Sequence, residues 1–386
     1  MFEIFKIFFA LGWVSFGGPA AHIGYFRQTF VEKRAWLSDE EYAQLVALSQ
    51  FLPGPGSSQV GFALGYQRGG LGGACAAFIG FTLPSVLLML AVALLSSQFL
   101  QQPLFQHIVH GLKLLAVMVV ADATWSMFKN FCQHKLTLSL CLVTAIVLLV
   151  IPSLSSQMLV LIIGALIGAL YLKQPTSTAK TSRFSLSWPP LVAFLALFFA
   201  LPLLAPLSSY WQTLDQFYQA GSLVFGGGHV VLPLLQNSLA DNLTTDTFLT
   251  GYAAAQAVPG PMFTLATFLG FVLHPETPVV GALLATLAIF LPGFLLLLGV
   301  IKNWQALSNV PAIAGALKGV NACVVGLLLA ALYQPVFTSA VADAYDLACL
   351  LIGFILLKVA RAPILGLVLY FAVAGILLGF IYPLPA

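Results

Sequence analysis

The chain has 386 residues, 60% of them hydrophobic and only 7% charged, with a formal net charge of +3. Soluble globular domains carry about 25% charged residues, so this composition cannot present a wettable surface, and neither a soluble enzyme nor a nucleic-acid binder fits it. Apolar runs such as 189–207, 279–301 and 364–381 approach the roughly 20 residues a helix needs to cross a bilayer, and the fold class expected is an all-α polytopic membrane protein.

In chain order, the first apolar segment spans about 2–27 and contains FGGPAAHIG at 16–24. A cleaved signal peptide would also follow a lysine with an apolar run ending in small residues, but Phe16-Gly17-Gly18 recurs as Phe225-Gly226-Gly227, so the segment is read as part of the fold. The second segment, about 40–67, starts at Ser38 with Glu41 three residues on, the pattern of a capping box, and is interrupted by Pro53-Gly54-Pro55. Further apolar segments follow at about 72–98, 107–128, 136–151 and 157–172, then a Ser/Thr-rich linker and an extra span at 189–207. Segments at about 211–236, 246–272, 278–301, 312–334, 345–358 and 363–382 complete the chain.

The last six segments repeat the first six. Gly12, Phe16, Gly17 and Gly18 fall on Gly221, Phe225, Gly226 and Gly227, and Ala47, Gln50 and Pro53-Gly54-Pro55 fall on Ala253, Gln256 and Pro259-Gly260-Pro261. Pro84 then pairs with Pro292, and Gly111 with Gly319. An even number of crossings returns the chain to its starting side, so the extra span starts the second copy from the other side and inverts it, a plan common among secondary transporters. The expected domains are an N-terminal membrane repeat at 1–172, a polar linker with a connecting helix at 173–210, and a C-terminal membrane repeat at 211–386.

Threading thirteen full crossings puts Lys6, Arg68, Lys129, Lys135, Lys173, Lys180, Arg183, Lys302, Lys358 and Arg361 on one side, against Arg27, Lys33 and Arg34 on the other. The basic side is read as cytoplasmic, with the N-terminus inside a plasma membrane and the C-terminus outside. The three exceptions share one loop, which leaves open that the first glycine-broken segments are re-entrant.

Candidate site residues are those that break helices or place charge in a span. Pro53, Pro55, Pro259 and Pro261 remove backbone donors and open the helical ladder, which lipid cannot repair; Gln50 and Gln256 precede these breaks and can donate and accept there. A packed kink is the competing reading. Gly17, Gly18, Gly54, Gly226, Gly227 and Gly260 can turn amides toward an anion at a half-helix start or simply admit a neighbouring helix. His22 and His229 can carry a proton, donate to an oxyanion, or hold helices together. Lys113 is expected to attract an anion into a cavity, with snorkelling as its alternative. Asn321 occupies the equivalent position. Asp122 is a proton-coupling candidate or another helix's buried partner. The five cysteines lack CxxC spacing and read as packing residues, so no metal is expected. No GxxxxGK[ST] loop is present and no cofactor is expected.

The stretches FGGPAAHIG, WLSDEEYAQLVALSQFLPGPGSSQVG (36–61), GYQRGG (65–70), FGGGHVVLPLL and QAVPGPMFTLATFLG (256–270) resemble the chromate ion transporter family in its long, two-repeat form. The resemblance implies a plasma-membrane exporter of chromate conferring chromate resistance, with sulfate as a similar tetrahedral dianion and the lipid bilayer as surroundings. It singles out Gly17, Gly18, Gln50, Gln256 and both Pro-Gly-Pro triplets. The glycine after the second Phe-Gly-Gly, where the first copy has Pro19, departs from internal symmetry. A passive anion channel on the same fold and an intramembrane enzyme are the competing readings, the latter without a GxSxG or HExxH motif. A homodimer stays open.

Overall fold

The computed structural model describes residues 1–99, 102–172, 187–225, 228–302 and 310–381, and every regular element among them is helical. Helix α1 (Phe2–Val14) stops at Ser15, and α2 (Gly18–Phe26), with a wide π-type turn over Arg27–Lys33, runs back beside it. The reversal is fixed by packing. The Phe26 and Phe30 rings lie 5.6 and 4.9 Å from Phe8, and Arg34 comes within 3.5 Å of Glu3. Helix α3 (Asp39–Phe51) opens on the Ser38–Glu41 capping box, and after a break at 52–55 the first arm of α4 (Gly56–Phe99) returns, setting Arg68 5.3 Å from the Trp36 ring. Gly69 and Gly70 then reverse the chain, Gly70 at φ +58, and the arm 71–99 crosses the membrane with Gly12 of α1 packed on Pro84.

The expectation of single spans over 2–27 and 40–67 is therefore corrected: each is a re-entrant hairpin. Segments of 13 and 9 residues extend only about 20 and 14 Å, too short to cross. Two hairpins also open the second repeat. α9 (Ser209–Leu223) and α10 (Val231–Leu239) are tied by Gln216 Nε2 donating to the Ser238 carbonyl at 2.7 Å, and α11 (Thr245–Ala257) and α12 (Leu265–Leu273) pack through Gly251 and Phe268. α13 (Pro278–Val300) crosses beside α9, with Gly221 on Pro292 as Gly12 lies on Pro84.

The remaining helices are α5 (Pro103–Phe131), α6 (Lys135–Val150), α7 (Leu154–Tyr171), the connecting α8 (Trp188–Leu204), α14 (Pro311–Ala331), α15 (Ala344–Lys358) and α16 (Ile364–Ile381). Four of these, α5, α7, α14 and α16, interlock the repeats reciprocally. Gly164 and Gly168 of α7 lie against Gly319 and Gly315 of α14, and Gly111 of α5 against Phe371 and Gly375 of α16, both pairs antiparallel. With the hairpins removed, the thirteen expected crossings become nine among the described residues, four per repeat and α8.

Ser96, at the far end of α4, lines a cavity with Thr247, Phe271 and Pro278, so the second pair of hairpins opens on the side opposite the first. The hairpin reversal also removes the topological exceptions, since Arg27, Lys33 and Arg34 join Lys6 and Arg68 on the N-terminal side. Among the described residues the far side holds six carboxylates, Asp215, Asp241, Asp246, Glu276, Asp343 and Asp346, and its nearest cation is Lys113, inside α5.

Candidate functional site

The four hairpin tips meet at the centre, where the two repeats are stitched by a matched pair of backbone hydrogen bonds. Gly54 N–H donates to the Val224 carbonyl at 2.7 Å, and Gly260 N–H donates to the Ser15 carbonyl at 2.8 Å. The donors are equivalent positions in the two copies, and so are the acceptors. Each Pro-Gly-Pro glycine thus satisfies the carbonyl just ahead of the other repeat's Phe-Gly-Gly, which matters because a free carbonyl at this depth costs several kcal/mol. This corrects the expectation that the Gly54 and Gly260 amides face an anion: both are consumed by the fold. Both glycines adopt positive φ, +122 and +97, and a Cβ on Gly260 would come within 2.0 Å of Ser85 Oγ.

The carbonyls inside the breaks are satisfied differently in the two copies. Ser85 Oγ donates to the Pro259 carbonyl at 2.6 Å. At the position equivalent to Ser85 the second copy has Gly293, and Gln59 fills the space, its Nε2 donating to the carbonyls of Pro53 at 2.9 Å and Gly293 at 3.0 Å. The Pro55 carbonyl accepts from Gln59 N–H, and the Pro261 carbonyl from Thr264. The prolines, having no N–H, leave no donor stranded.

His22 is buried. Its Nε2 donates to the Ser15 carbonyl at 3.1 Å, so the neutral ring accepts at Nδ1 from the Ser57 hydroxyl, also 3.1 Å away. It clamps the first hairpin tip to the second and has no edge left for a ligand, which corrects its reading as a binding residue. In the other copy His229 Nδ1 lies 2.9 Å from Tyr252 Oη, with Gln256 Nε2 at 3.5 Å, so two residues proposed separately are brought together. Gly226 and Gly227 lie outside the described residues. Gly17 is exposed at φ +97 and Gly18 half-buried at φ +75, opening α2 with no side-chain cap. Uncapped first-turn amides at the positive end of a helix suit an anion.

Lys113 and Asp122 are each paired with a residue of another helix. Lys113 is not a free cation: its ammonium lies 2.5 Å from the Asp246 carboxylate of α11. Asp246 lies in the first turn of α11, whose cap is made by Thr244 Oγ1 accepting from Thr247 N–H. Asp122 pairs with Lys358 of α15 toward the N-terminal side, so it is the partner of another helix, though neither side chain is buried. Asn321 is half-buried on α14 with its Oδ1 enclosed and unpartnered.

The equivalent faces of α3 and α11 differ most. On α11, Leu249 and Ala253 are fully buried (0%), and the helix packs on α5 and α16. The same face of α3, carrying Glu40, Ala43, Ala47 and Gln50, is exposed. By the internal symmetry this face looks toward α14 and α7. The hairpins of the second repeat are therefore docked on the bundle, and those of the first stand away from it on the N-terminal side. Sequence reasoning missed Ser15, Ser57, Gln59, Ser85 and Tyr252, which hold the tips; only Ser85, next to the recurring Pro84, carried a positional signal.

Comparison with known proteins agrees with this architecture. The sequence matches the family described as "Chromate transporter" over residues 2–169 and again over 211–380. It is 30% identical to a probable chromate transport protein of Synechococcus elongatus, over 92% of this chain and 88% of that one. It is 27% identical to a chromate transport protein of Cupriavidus metallidurans (95% and 93%), and 28% identical to an uncharacterized transporter of Methanocaldococcus jannaschii (85% and 82%). No solved structure matches it. The chain belongs to the Chromate transporter family.

Proposed function

We propose that the protein exports chromate across the plasma membrane by alternating access, and that the anion enters from the N-terminal, basic side between the first pair of hairpins and the bundle. The observation that carries this reading is the unequal exposure of two equivalent helix faces: Leu249 and Ala253 of α11 are buried, and their counterparts Ala43 and Ala47 of α3 are exposed. The basic side is cytoplasmic. A tetrahedral dianion would meet the uncapped amides at Gly17 and Gly18 and the exposed amide of Gln50, all neutral donors that replace water without fixing a permanent counter-charge. Sulfate shares that geometry and is the expected competitor. A potential negative inside assists exit of two charges by about 4–5 kcal/mol per 100 mV. The relatives named for chromate transport support the choice of ion.

The test is chromate uptake into everted membrane vesicles, with potential and proton gradient imposed separately. Saturable uptake that follows the potential, is inhibited by sulfate and is lost in Gln50→Ala at normal protein abundance is the expected result. Uptake that rises linearly with concentration, unchanged by Gln50→Ala, would sink the proposal.

A further inference from the structure

The Lys113–Asp246 pair has no formed counterpart on the N-terminal side, yet the residues for one are in place. Internal symmetry carries Asp246 onto Glu40 and Lys113 onto Asn321, with Lys318 one helical turn earlier on α14. Residues three apart lie on one side of a helix, so Lys318 stands beside Asn321 on α14; its own counterpart on α5 is His110, which pairs with Asp346 of α15 one turn from the Lys113–Asp246 pair. Among the described residues neither Glu40 nor Lys318 forms an ion pair: Glu40 is exposed and Lys318 half-buried. The enclosed, unpartnered Oδ1 of Asn321 sits at the same place. A charge held in a span without a partner is costly, and Lys318, half-buried within α14, is such a charge.

We propose that Glu40 and Lys318 are the closing pair of the N-terminal side, formed when α3 docks on α14 and exchanged for Lys113–Asp246 as the far side opens. The inference rests on the alternating-access reading above. One pair is made in each state, so neither state is trapped by an unmatched contact. The transported anion then biases the equilibrium through its own differential affinity. Placing the cation one turn nearer the membrane surface than Lys113 also shortens the reach to the first turn of α3.

Charge exchange tests the pair. In everted vesicles, Glu40→Lys and Lys318→Glu should each slow chromate uptake by about tenfold, and the double variant should recover to within about threefold of the parent, the size of one coupled pair. A double variant no faster than the slower single, at parental abundance and melting temperature, overturns the proposal. Should the reversals misfold, cysteines introduced as Glu40→Cys and Lys318→Cys in a cysteine-free background replace them. Oxidation should cross-link the two and stop uptake until reductant is added, and failure to cross-link during turnover overturns the pairing. The parent reading is probed separately by Lys113→Cys with Asp246→Cys: full uptake with that side locked would remove alternating access, whichever way the charge exchange comes out.

Discussion

The two pairs of re-entrant hairpins share a sequence pattern and a backbone path but not an environment. In the second pair, α11 is pressed on the bundle, Ala253 is buried, and Gln256 sits beside His229. In the first, the equivalent Ala47 and Gln50 are exposed, and Ala20 stands where the second copy has His229. The difference teaches that halves built on one pattern need not pack alike. The same pattern of breaks and glycines is compatible with a helix face that is packed and with one that is open.

The largest effect is expected where the pairs are most alike. Gly260→Ala forces a side chain onto Ser85 at a positive φ and should destabilise the protein by about 2–5 kcal/mol, seen as loss of folded protein in detergent. Gly54→Ala, facing Gly293 at 2.9 Å, should behave alike. Gly18→Ala meets nothing within 4 Å, so only backbone strain of about 1 kcal/mol is expected. Equal losses at all three positions would break the distinction between buried stitch and open tip.

Next is accessibility. A membrane-impermeant thiol reagent applied from the N-terminal side should label Ala47→Cys and spare Ala253→Cys, and equal labelling would erase the comparison. Gln50→Ala should slow transport by about tenfold with unchanged melting temperature, whereas Gln256→Ala should lower both, since it also leaves His229 and Tyr252 short of a neighbour. Removing Gln59 or Ser85 as alanine should cost about 1–3 kcal/mol each, through a buried carbonyl left unpaired. The smallest effect belongs to the α3 cap. The Ser38 amide and hydroxyl hold the Glu41 carboxyl below its ordinary range, so its contribution is present at neutral pH and lost as pH falls through that lowered value. Glu41→Gln should melt slightly earlier at neutral pH and indistinguishably in acid.

Much of the fold was legible because membrane helices and helix breakers speak plainly in composition. The duplication, the breaks at Pro53 and Pro259 and the connecting span at 189–207 were all readable. The hairpins were not, since apolar content records burial and not direction, and a broken helix that crosses has the same composition as one that returns. The misfit of Arg27, Lys33 and Arg34 was the only trace of the reversal. The site was less legible. Lys113 read as a free cation because its partner, Asp246, lies 133 residues away in the other copy. The amides of Gly54 and Gly260 read as ligand donors because nothing local reveals that carbonyls from the other copy take them.

The crossed bonds from Gly54 to Val224 and from Gly260 to Ser15 mean that neither copy is complete by itself. A polypeptide containing one such unit would have to recruit a sister molecule inserted upside down before its interior could close. Fusing the two through α8 guarantees that mate, at fixed stoichiometry and with the correct handedness, from the moment of synthesis. It also frees each half to drift, as Gln59 and Gly293 show, toward tasks its twin no longer shares.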